Sequence, residues 1–202
     1  RVQGQIAAVC VTTGPGGTNA ITGVMGGWLD SIPMLVISGQ VRYDTTVRST
    51  GLALRSYGDQ EYDIVKMVSH ITKYAQMVTD ASDIRCYLEK ALYLAKTGRP
   101  GPCWLDIPLN IQGGYVETED LQGYVPEEES VPSVTDELAK KIIEKIRGAK
   151  RPVLNAGNGI RIAGAGELFL RVIDKLNIPV VTGWDSIDLL YDAHPLYTGR
   201  AG

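Results

Sequence analysis

The sequence predicts an α/β fold in which the strands of parallel sheets alternate with helices. Three observations lead to this prediction. Apolar runs almost free of polar residues recur along the chain, as expected for strands covered on both faces of a parallel sheet. Segments with helical spacing of apolar residues separate these runs. A Gly-, Pro- and Glu-rich stretch interrupts the alternation, so we expect two incomplete domains, 1–112 and 135–202, joined by a linker at 113–134.

The first apolar run, residues 6–13, is predicted to be a strand covered on both faces. A turn at 14–19 separates it from a helix at about 20–29, and a second strand is predicted at 32–38. The polar segment 40–59 has little periodicity, which in a compact domain is typical of a functional or mobile loop.

The remaining predicted elements continue the alternation. In the first domain they are a short helix at 61–69, a strand at 72–78, a helix at about 82–96 and a strand at 101–108. In the second domain they are a helix at about 136–147, a strand at 152–156, a helix at about 166–176 and a strand at 178–182.

The composition argues against two classes of partner. The formal net charge is -3 and no basic stripe occurs, so no nucleic acid is expected. No apolar run reaches the length of about 18 residues that a membrane span needs, so no membrane is expected. Cys10, Cys86 and Cys103 form no C-x-x-C pair, which predicts buried, reduced thiols and a cytoplasmic protein.

Both ends of the sequence indicate a fragment. The chain lacks an initiator Met and enters its first predicted strand almost at once. Residues 199–202 are interpreted as a loop after a strand. We therefore expect an internal piece of a longer protein.

A glycine-rich turn connects the first strand to the first helix, with the sequence Gly14-Pro15-Gly16-Gly17-Thr18-Asn19. Backbone N–H groups and the helix dipole face outward at such a turn, and glycines let a ligand approach the backbone. It is not a P-loop, because no Gly-Lys-Ser/Thr follows, and Asn19 occupies the third glycine position of a dinucleotide fingerprint. The motif alone leaves a ligand contact and a purely structural turn both open.

A longer series of motifs, in a fixed order, covers nearly the whole chain. It comprises TGPGGTNAITG at 13–23, DSIPM at 30–34, SGQ at 38–40, QEYDIV at 60–65, GRPGP at 98–102, LDIPL at 105–109, RPV at 151–153, GNG at 157–159, IPVVT at 178–182 and HPLY at 194–197. This series closely resembles the catalytic large subunit of acetolactate synthases, which are thiamine-diphosphate enzymes. The resemblance implies a parallel-sheet pyrimidine-binding domain followed by a Rossmann-like central domain.

The resemblance also implies a reaction and an assembly. Such enzymes decarboxylate a 2-keto acid such as pyruvate, with thiamine diphosphate as the electron sink, and join the product to a second carbonyl compound. They form active sites between the subunits of a homodimer or homotetramer. By position, Gly14, Pro15, Gly16 and Asn19 are the candidate contacts of the cofactor's aminopyrimidine. Gln60 is the candidate catalytic residue, since a neutral amide can hydrogen-bond to substrate oxygen; a polar residue at a helix N-terminus is the alternative.

A flavin is a further candidate cofactor. Arg99 matches an arginine that contacts FAD in flavin-containing acetolactate synthases; an arginine that holds the turn between helix and strand is the alternative. Gly157 and Gly159 match two glycines of a triple-glycine flavin motif, and Asn158 replaces the middle one. The segment between Gln40 and Gln60 is longer than in typical acetolactate synthases.

The resemblance places two parts of the machinery outside the chain. A glutamate that contacts the pyrimidine is expected before Arg1, and a Gly-Asp-Gly…Asn segment that binds Mg²⁺ and the diphosphate is expected beyond Gly202. The isolated chain is therefore expected to be inactive. Among the other candidates, His70 and His194 are interpreted as structural, and Asp106 either as a cofactor contact or as a residue that hydrogen-bonds within a loop.

Three alternatives stay open. The protein could be another thiamine-diphosphate enzyme, such as a 2-keto-acid decarboxylase or a diketone hydrolase. It could be a non-catalytic module that binds a flavin or another nucleotide. It could also be a remnant that has lost catalysis.

Overall fold

The computed structural model describes residues 5–127 and 131–201. The chain divides into two compact units, Arg1–Glu128 and Glu129–Gly202. Residues 1–4, 128–130 and 202 lie outside the described part, and they include three residues of the predicted linker and the last predicted loop residue. No helix among the described residues is both long and apolar enough to cross a bilayer.

The first unit contains a parallel sheet with the strand order β1-β2-β4-β3. Its strands are β1 (Ala7–Val11), β2 (Met34–Gln40), β3 (Tyr74–Met77) and β4 (Pro102–Pro108). In the register of the sheet Val11 pairs with Ser38, and Ser38 pairs with Asp106. Because every strand runs in the same direction, the carboxyl ends of β1, β2 and β4 meet at one edge of the sheet.

Helices cover parts of both faces of this sheet. They are α1 (Pro15–Leu29), α2 (Val47–Thr50), α3 (Ile64–Val68), α4 (Ile84–Lys96) and α5 (Leu109–Gln112), with 3₁₀ turns at Tyr43–Thr45 and Ala81–Asp83. Successive strand residues point to opposite faces, so each face has its own core. Val24 of α1 and Ile64 of α3 pack with Trp104 on one face. Ala91 and Ala95 of α4 pack with Cys103 and Leu105 on the other.

The second unit contains a parallel sheet with the order β5-β6-β7. Its elements are α6 (Asp136–Gly148), β5 (Leu154–Ala156), α7 (Gly159–Ile162), α8 (Gly166–Leu176), β6 (Val180–Thr182) and β7 (Tyr197–Arg200), with a 3₁₀ turn at Trp184–Ser186. Phe169 and Ile173 of α8 pack on Ala156 and Val180 of the sheet. The α/β class and the parallel sheets that the sequence predicted are thereby confirmed.

Four local predictions are wrong. The first helix begins at Pro15, not at about residue 20, because proline suits the first helical position and Gly14 supplies the turn before it. Strand β1 is not covered on both faces: residues 7–10 are exposed, since β1 pairs only with β2 among the described strands. Cys10 is exposed for the same reason, whereas Cys86 is half-buried and Cys103 is buried. Residues 199–200 belong to β7 and not to a loop.

Candidate functional site

The glycine-rich turn and the Gln60 segment are in direct contact at the carboxyl edge of the first sheet. Gly14 has φ 53 and ψ -112, and a Cβ atom at this position would lie only 2.1 Å from the carbonyl oxygen of Gln60. Gln60 itself has a φ of 58, which is uncommon for a residue other than glycine. The turn and the segment to which the resemblance assigns the cofactor contact and the catalytic residue therefore meet here. We call residues 14–19 together with Gln60 the glycine corner.

The side chains of the glycine corner are open to solvent. Pro15, Asn19 and Gln60 are exposed, whereas Gly14 is buried beneath them. Pro15 and Asn19 are four residues apart on α1 and so lie on the same side of the helix. A Cβ atom at Gly23, one further turn along, would meet no atom within 4 Å, so this side of α1 stays unobstructed.

The chemistry of the glycine corner is neutral. It offers a proline ring and two carboxamides, and each carboxamide can both donate and accept hydrogen bonds. These groups fit an uncharged aromatic ring that carries nitrogen donors and acceptors. They are poorly suited to a diphosphate, because none of the six turn residues or Gln60 is cationic.

A buried polar network lies directly beneath the glycine corner. Thr13 Oγ1 donates to Gln40 Oε1 at 2.6 Å, and Gln40 Nε2 donates to Asp106 Oδ2 at 3.1 Å. Ser38 Oγ donates to Asp106 Oδ1 at 2.6 Å and accepts from Trp104 Nε1 at 2.8 Å. The network therefore joins the end of β1 to β2 and β4.

Asp106 is the charged group of this network. Burial raises the pKa of its carboxyl to about 6, against the hydrogen bonds from Ser38 and Gln40, which lower it. Its side chain is fully buried, so it contacts the protein interior and not the surface of the corner. The hydrogen-bonding alternative for Asp106 is thereby favoured over a cofactor contact.

Sequence analysis did not select Thr13, Ser38 or Gln40 as functional residues. A signal was present, because Ser38 and Asp106 are polar residues inside otherwise apolar strands. They are paired in the register of the parallel sheet. Only the strand order shows that these polar residues are neighbours.

The polar segment 40–59 is held against the Gln60 segment by Glu61. Its two carboxylate oxygens accept from the backbone N–H groups of Val47, at 2.7 Å, and Tyr57, at 2.9 Å. Arg48 donates to Asp63 at 3.2 Å. These contacts line a cleft of about 420 Å³ beside the corner.

Arg99 lies at the opposite, amino-terminal edge of the first sheet. Its Nε donates to Ser31 Oγ at 2.7 Å and its Nη2 donates to the carbonyl of Leu29 at 3.3 Å. These bonds join the start of β4 to the turn after α1, as expected for an arginine that holds a turn. Its contact with FAD stays a prediction.

Gly157 and Gly159 follow β5 in the second unit, and a Cβ atom at either would meet nothing within 4 Å. Asn158 between them accepts a hydrogen bond from Arg161 Nη1 at 3.1 Å. The helix that follows, α7, has only four residues. The role of these glycines in flavin binding also stays a prediction.

Neither histidine belongs to the glycine corner. His70 is exposed between α3 and β3. His194 Nδ1 accepts from the backbone N–H of Leu196 at 3.2 Å just before β7, which fits a structural role. Among residues 5–127 and 131–201, no group of three or more His, Cys, Asp or Glu side chains could hold a metal ion.

Comparison with known families gives two matches. The family described as "Thiamine pyrophosphate enzyme, N-terminal TPP binding domain" matches residues 1–67. The family described as "Thiamine pyrophosphate enzyme, central domain" matches residues 139–202. The glycine corner lies in the first match and Gly157 and Gly159 lie in the second, whereas Arg99 lies between them.

Curated relatives match the chain along its whole length. The acetolactate synthase large subunit of Lactococcus lactis is 36% identical, over 100% of this chain and 34% of the relative. That of Corynebacterium glutamicum is 35% identical, over 100% of this chain and 31% of the relative. Isozyme 3 of Escherichia coli is 35% identical, over 100% of this chain and 34% of the relative. The chain therefore spans about a third of the length of the curated relatives it matches.

Proposed function

The chain belongs to the thiamine pyrophosphate enzyme family and is similar to acetolactate synthase large subunits, and from this premise we propose its function. It supplies the pyrimidine-contacting part of a carboligase or decarboxylase that acts on 2-keto acids, with pyruvate converted to 2-acetolactate. The observation that carries the proposal is the contact of Gly14 with Gln60, which joins the candidate cofactor turn to the candidate catalytic residue.

The residues of the glycine corner fit the aminopyrimidine part of the cofactor. The ring of Pro15 offers an apolar surface, and the carboxamide of Asn19 offers a donor and an acceptor to ring nitrogens. Gly14 and Gly16 keep the turn tight, since a Cβ atom at Gly16 would lie 2.6 Å from Thr12 Cγ2. When bound, thiamine diphosphate supplies the electron sink for loss of carbon dioxide and for carbon–carbon bond formation.

Gln60 acts on the substrate in this proposal. Its exposed carboxamide donates to a carbonyl or carboxylate oxygen without adding a charge to the site. Gln60 has a positive φ and its backbone carbonyl lies against Gly14, so its position depends on the turn. Because the cofactor turn and Gln60 are in contact, the fold helps to set the distance between cofactor and substrate.

Magnesium, the subunit partner and the flavin are further parts of the proposal. Mg²⁺ is held with the diphosphate by residues of the intact protein other than those described. A second subunit of a homodimer or homotetramer completes the active site. FAD is tested by the absorbance of the purified intact protein in the blue region of the visible spectrum, with Arg99→Ala as the variant that should lose it.

The proposal is tested by the products that the intact protein forms from pyruvate. With thiamine diphosphate and Mg²⁺, 2-acetolactate is expected; acetaldehyde would identify a decarboxylase instead, and no turnover would contradict catalysis. Gln60→Ala should lower kcat/KM by at least about tenfold, because a lost hydrogen bond to a reacting oxygen is worth more than 1.4 kcal/mol. Gln122→Ala, which removes another exposed carboxamide outside the corner, should leave kcat/KM unchanged.

A further inference from the structure

We propose that Gln40 is a positioning residue that sets the placement of the glycine turn relative to the Gln60 segment. Gln40 lies beneath the glycine corner and only 5% of the residue is exposed, so little of it is available to a ligand. It acts instead through the two segments that it joins. The consequence for catalysis rests on the proposed function of the corner, whereas the geometric part does not.

The carboxamide of Gln40 makes four hydrogen bonds. Its Oε1 accepts from Thr13 Oγ1 at 2.6 Å and from the backbone N–H of Val41 at 3.0 Å. Its Nε2 donates to the carbonyl of Tyr62 at 2.9 Å and to Asp106 Oδ2 at 3.1 Å. Two acceptor sites and two donor hydrogens are all that a carboxamide has, so its capacity is fully used.

The orientation of this carboxamide is fixed by its neighbours. A flip of the carboxamide by 180°, which exchanges Oε1 and Nε2, would turn Nε2 toward the N–H of Val41. Two donors would then face each other. The same rotation would turn Oε1 toward the carbonyl of Tyr62 and the carboxylate of Asp106. Asp106 is in turn held by Ser38, whose hydroxyl accepts from Trp104 and must therefore donate its own hydrogen to the carboxylate. Only one orientation of the Gln40 carboxamide gives every buried donor and acceptor of this network a partner.

Two of these four hydrogen bonds, the one with Thr13 and the one with the carbonyl of Tyr62, lie on either side of the contact between Gly14 and Gln60. Thr13 precedes Gly14 in the chain, and Tyr62 follows Gln60 by two residues. One buried side chain therefore holds both segments on the two sides of that contact. Holding Gln60 matters because its backbone has a positive φ, which the surrounding structure must stabilise.

Swapping the amide of Gln40 with the carboxylate of Asp106 distinguishes a positioning role from ordinary stabilisation. In the double variant Gln40→Glu/Asp106→Asn, the new amide at position 106 donates to the new carboxylate at position 40, so the buried pair is restored with its direction reversed. The new carboxylate still accepts from Thr13 and Val41. It has no hydrogen to donate to the carbonyl of Tyr62, so this bond is lost and two oxygen atoms face each other there.

The intact protein is measured as wild type, as Gln40→Glu, as the double variant and as Gln76→Met. Gln76 is a matched control, because it is a half-buried glutamine in β3 whose amide donates to the carbonyl of the adjacent Met77. The double variant should regain most of the melting temperature that Gln40→Glu loses. Its kcat/KM for pyruvate should nevertheless stay at least about tenfold below wild type, because the loss of one hydrogen bond is accompanied by repulsion between two oxygens.

Hydrogen exchange provides the readout that does not depend on activity. The amides of Gly16 and Glu61, which bond within the two joined segments, should exchange at least about tenfold faster in the double variant than in wild type or Gln76→Met. Thr13→Val, which removes one bond of the four, should accelerate Gly16 more than Glu61. The inference is overturned if the double variant regains wild-type kcat/KM or wild-type exchange. If wild type forms no product while exchange responds as expected, the proposed function fails and the positioning role stands.

Discussion

Replacing Gly14 with alanine would place a methyl group where the carbonyl oxygen of Gln60 already lies. The two atoms would be 2.1 Å apart, whereas ordinary contacts begin near 3.4 Å, so the turn and the Gln60 segment would separate. The backbone angles of Gly14, φ 53 and ψ -112, cost a residue with a side chain about 1–3 kcal/mol. Repacking the contact costs about 1–3 kcal/mol more, so the free energy of unfolding of the first unit should fall by roughly 4 kcal/mol.

Gly51→Ala is the control for this substitution. Gly51 also has a positive φ, 64, but a Cβ atom there would meet nothing within 4 Å. It should lose only the conformational cost of about 1 kcal/mol. Urea unfolding, followed by tryptophan fluorescence with Trp28 and Trp184 replaced by phenylalanine so that the buried Trp104 alone reports, measures both losses. If Gly14→Ala costs no more than Gly51→Ala, then Gly14 does not contact Gln60 and the described corner is wrong.

Three further outcomes follow from the same structure. The folded-state pKa of Asp106, about 6, exceeds its ordinary 3.8, so its contribution to the unfolding free energy should fall by about 3 kcal/mol as the pH rises from about 4 to 6. Asp106→Asn should remove this pH dependence in urea titrations, and an unchanged slope would contradict the burial of the carboxylate. Cys10 should react with a thiol reagent within minutes in the native protein, whereas Cys103, whose pKa burial raises to about 11, should react only on unfolding; mass spectrometry of the labelled peptides distinguishes them. Arg99→Ala should lower the unfolding free energy by about 1 kcal/mol, because exposed hydrogen bonds contribute little, and a loss above about 3 kcal/mol would show that this turn is more important than its exposure indicates.

The sequence predicted the fold because the apolar runs are long. The runs around β2, β4 and α8 placed these elements within two residues of their observed bounds. Strand β7 was missed, because Tyr197-Thr198-Gly199-Arg200 is short, half polar and contains a glycine with φ 115. The burial of β1 was predicted wrongly, since composition alone does not tell an edge strand from a central one.

The site was predictable only in part, for a different reason. The residue types of Pro15, Asn19 and Gln60 were selected from motifs, and their assigned roles remain predictions. The contact between Gly14 and Gln60 spans 46 residues of sequence and depends on two positive φ angles, which no periodicity reports. The hydrogen bonds of Gln40 depend on the strand order β1-β2-β4, which brings together polar residues from three separate motifs.

The most direct test of the account is a calorimetric titration of thiamine diphosphate, with Mg²⁺ present, into the intact protein and its Asn19→Leu variant. We expect saturable binding to wild type and at least about tenfold weaker binding to the variant at an unchanged melting temperature, since the exposed Asn19 carboxamide would lose its bonds to the ring. Absence of binding to wild type, or equal affinity in the two proteins, would contradict the claim that the glycine corner receives the cofactor.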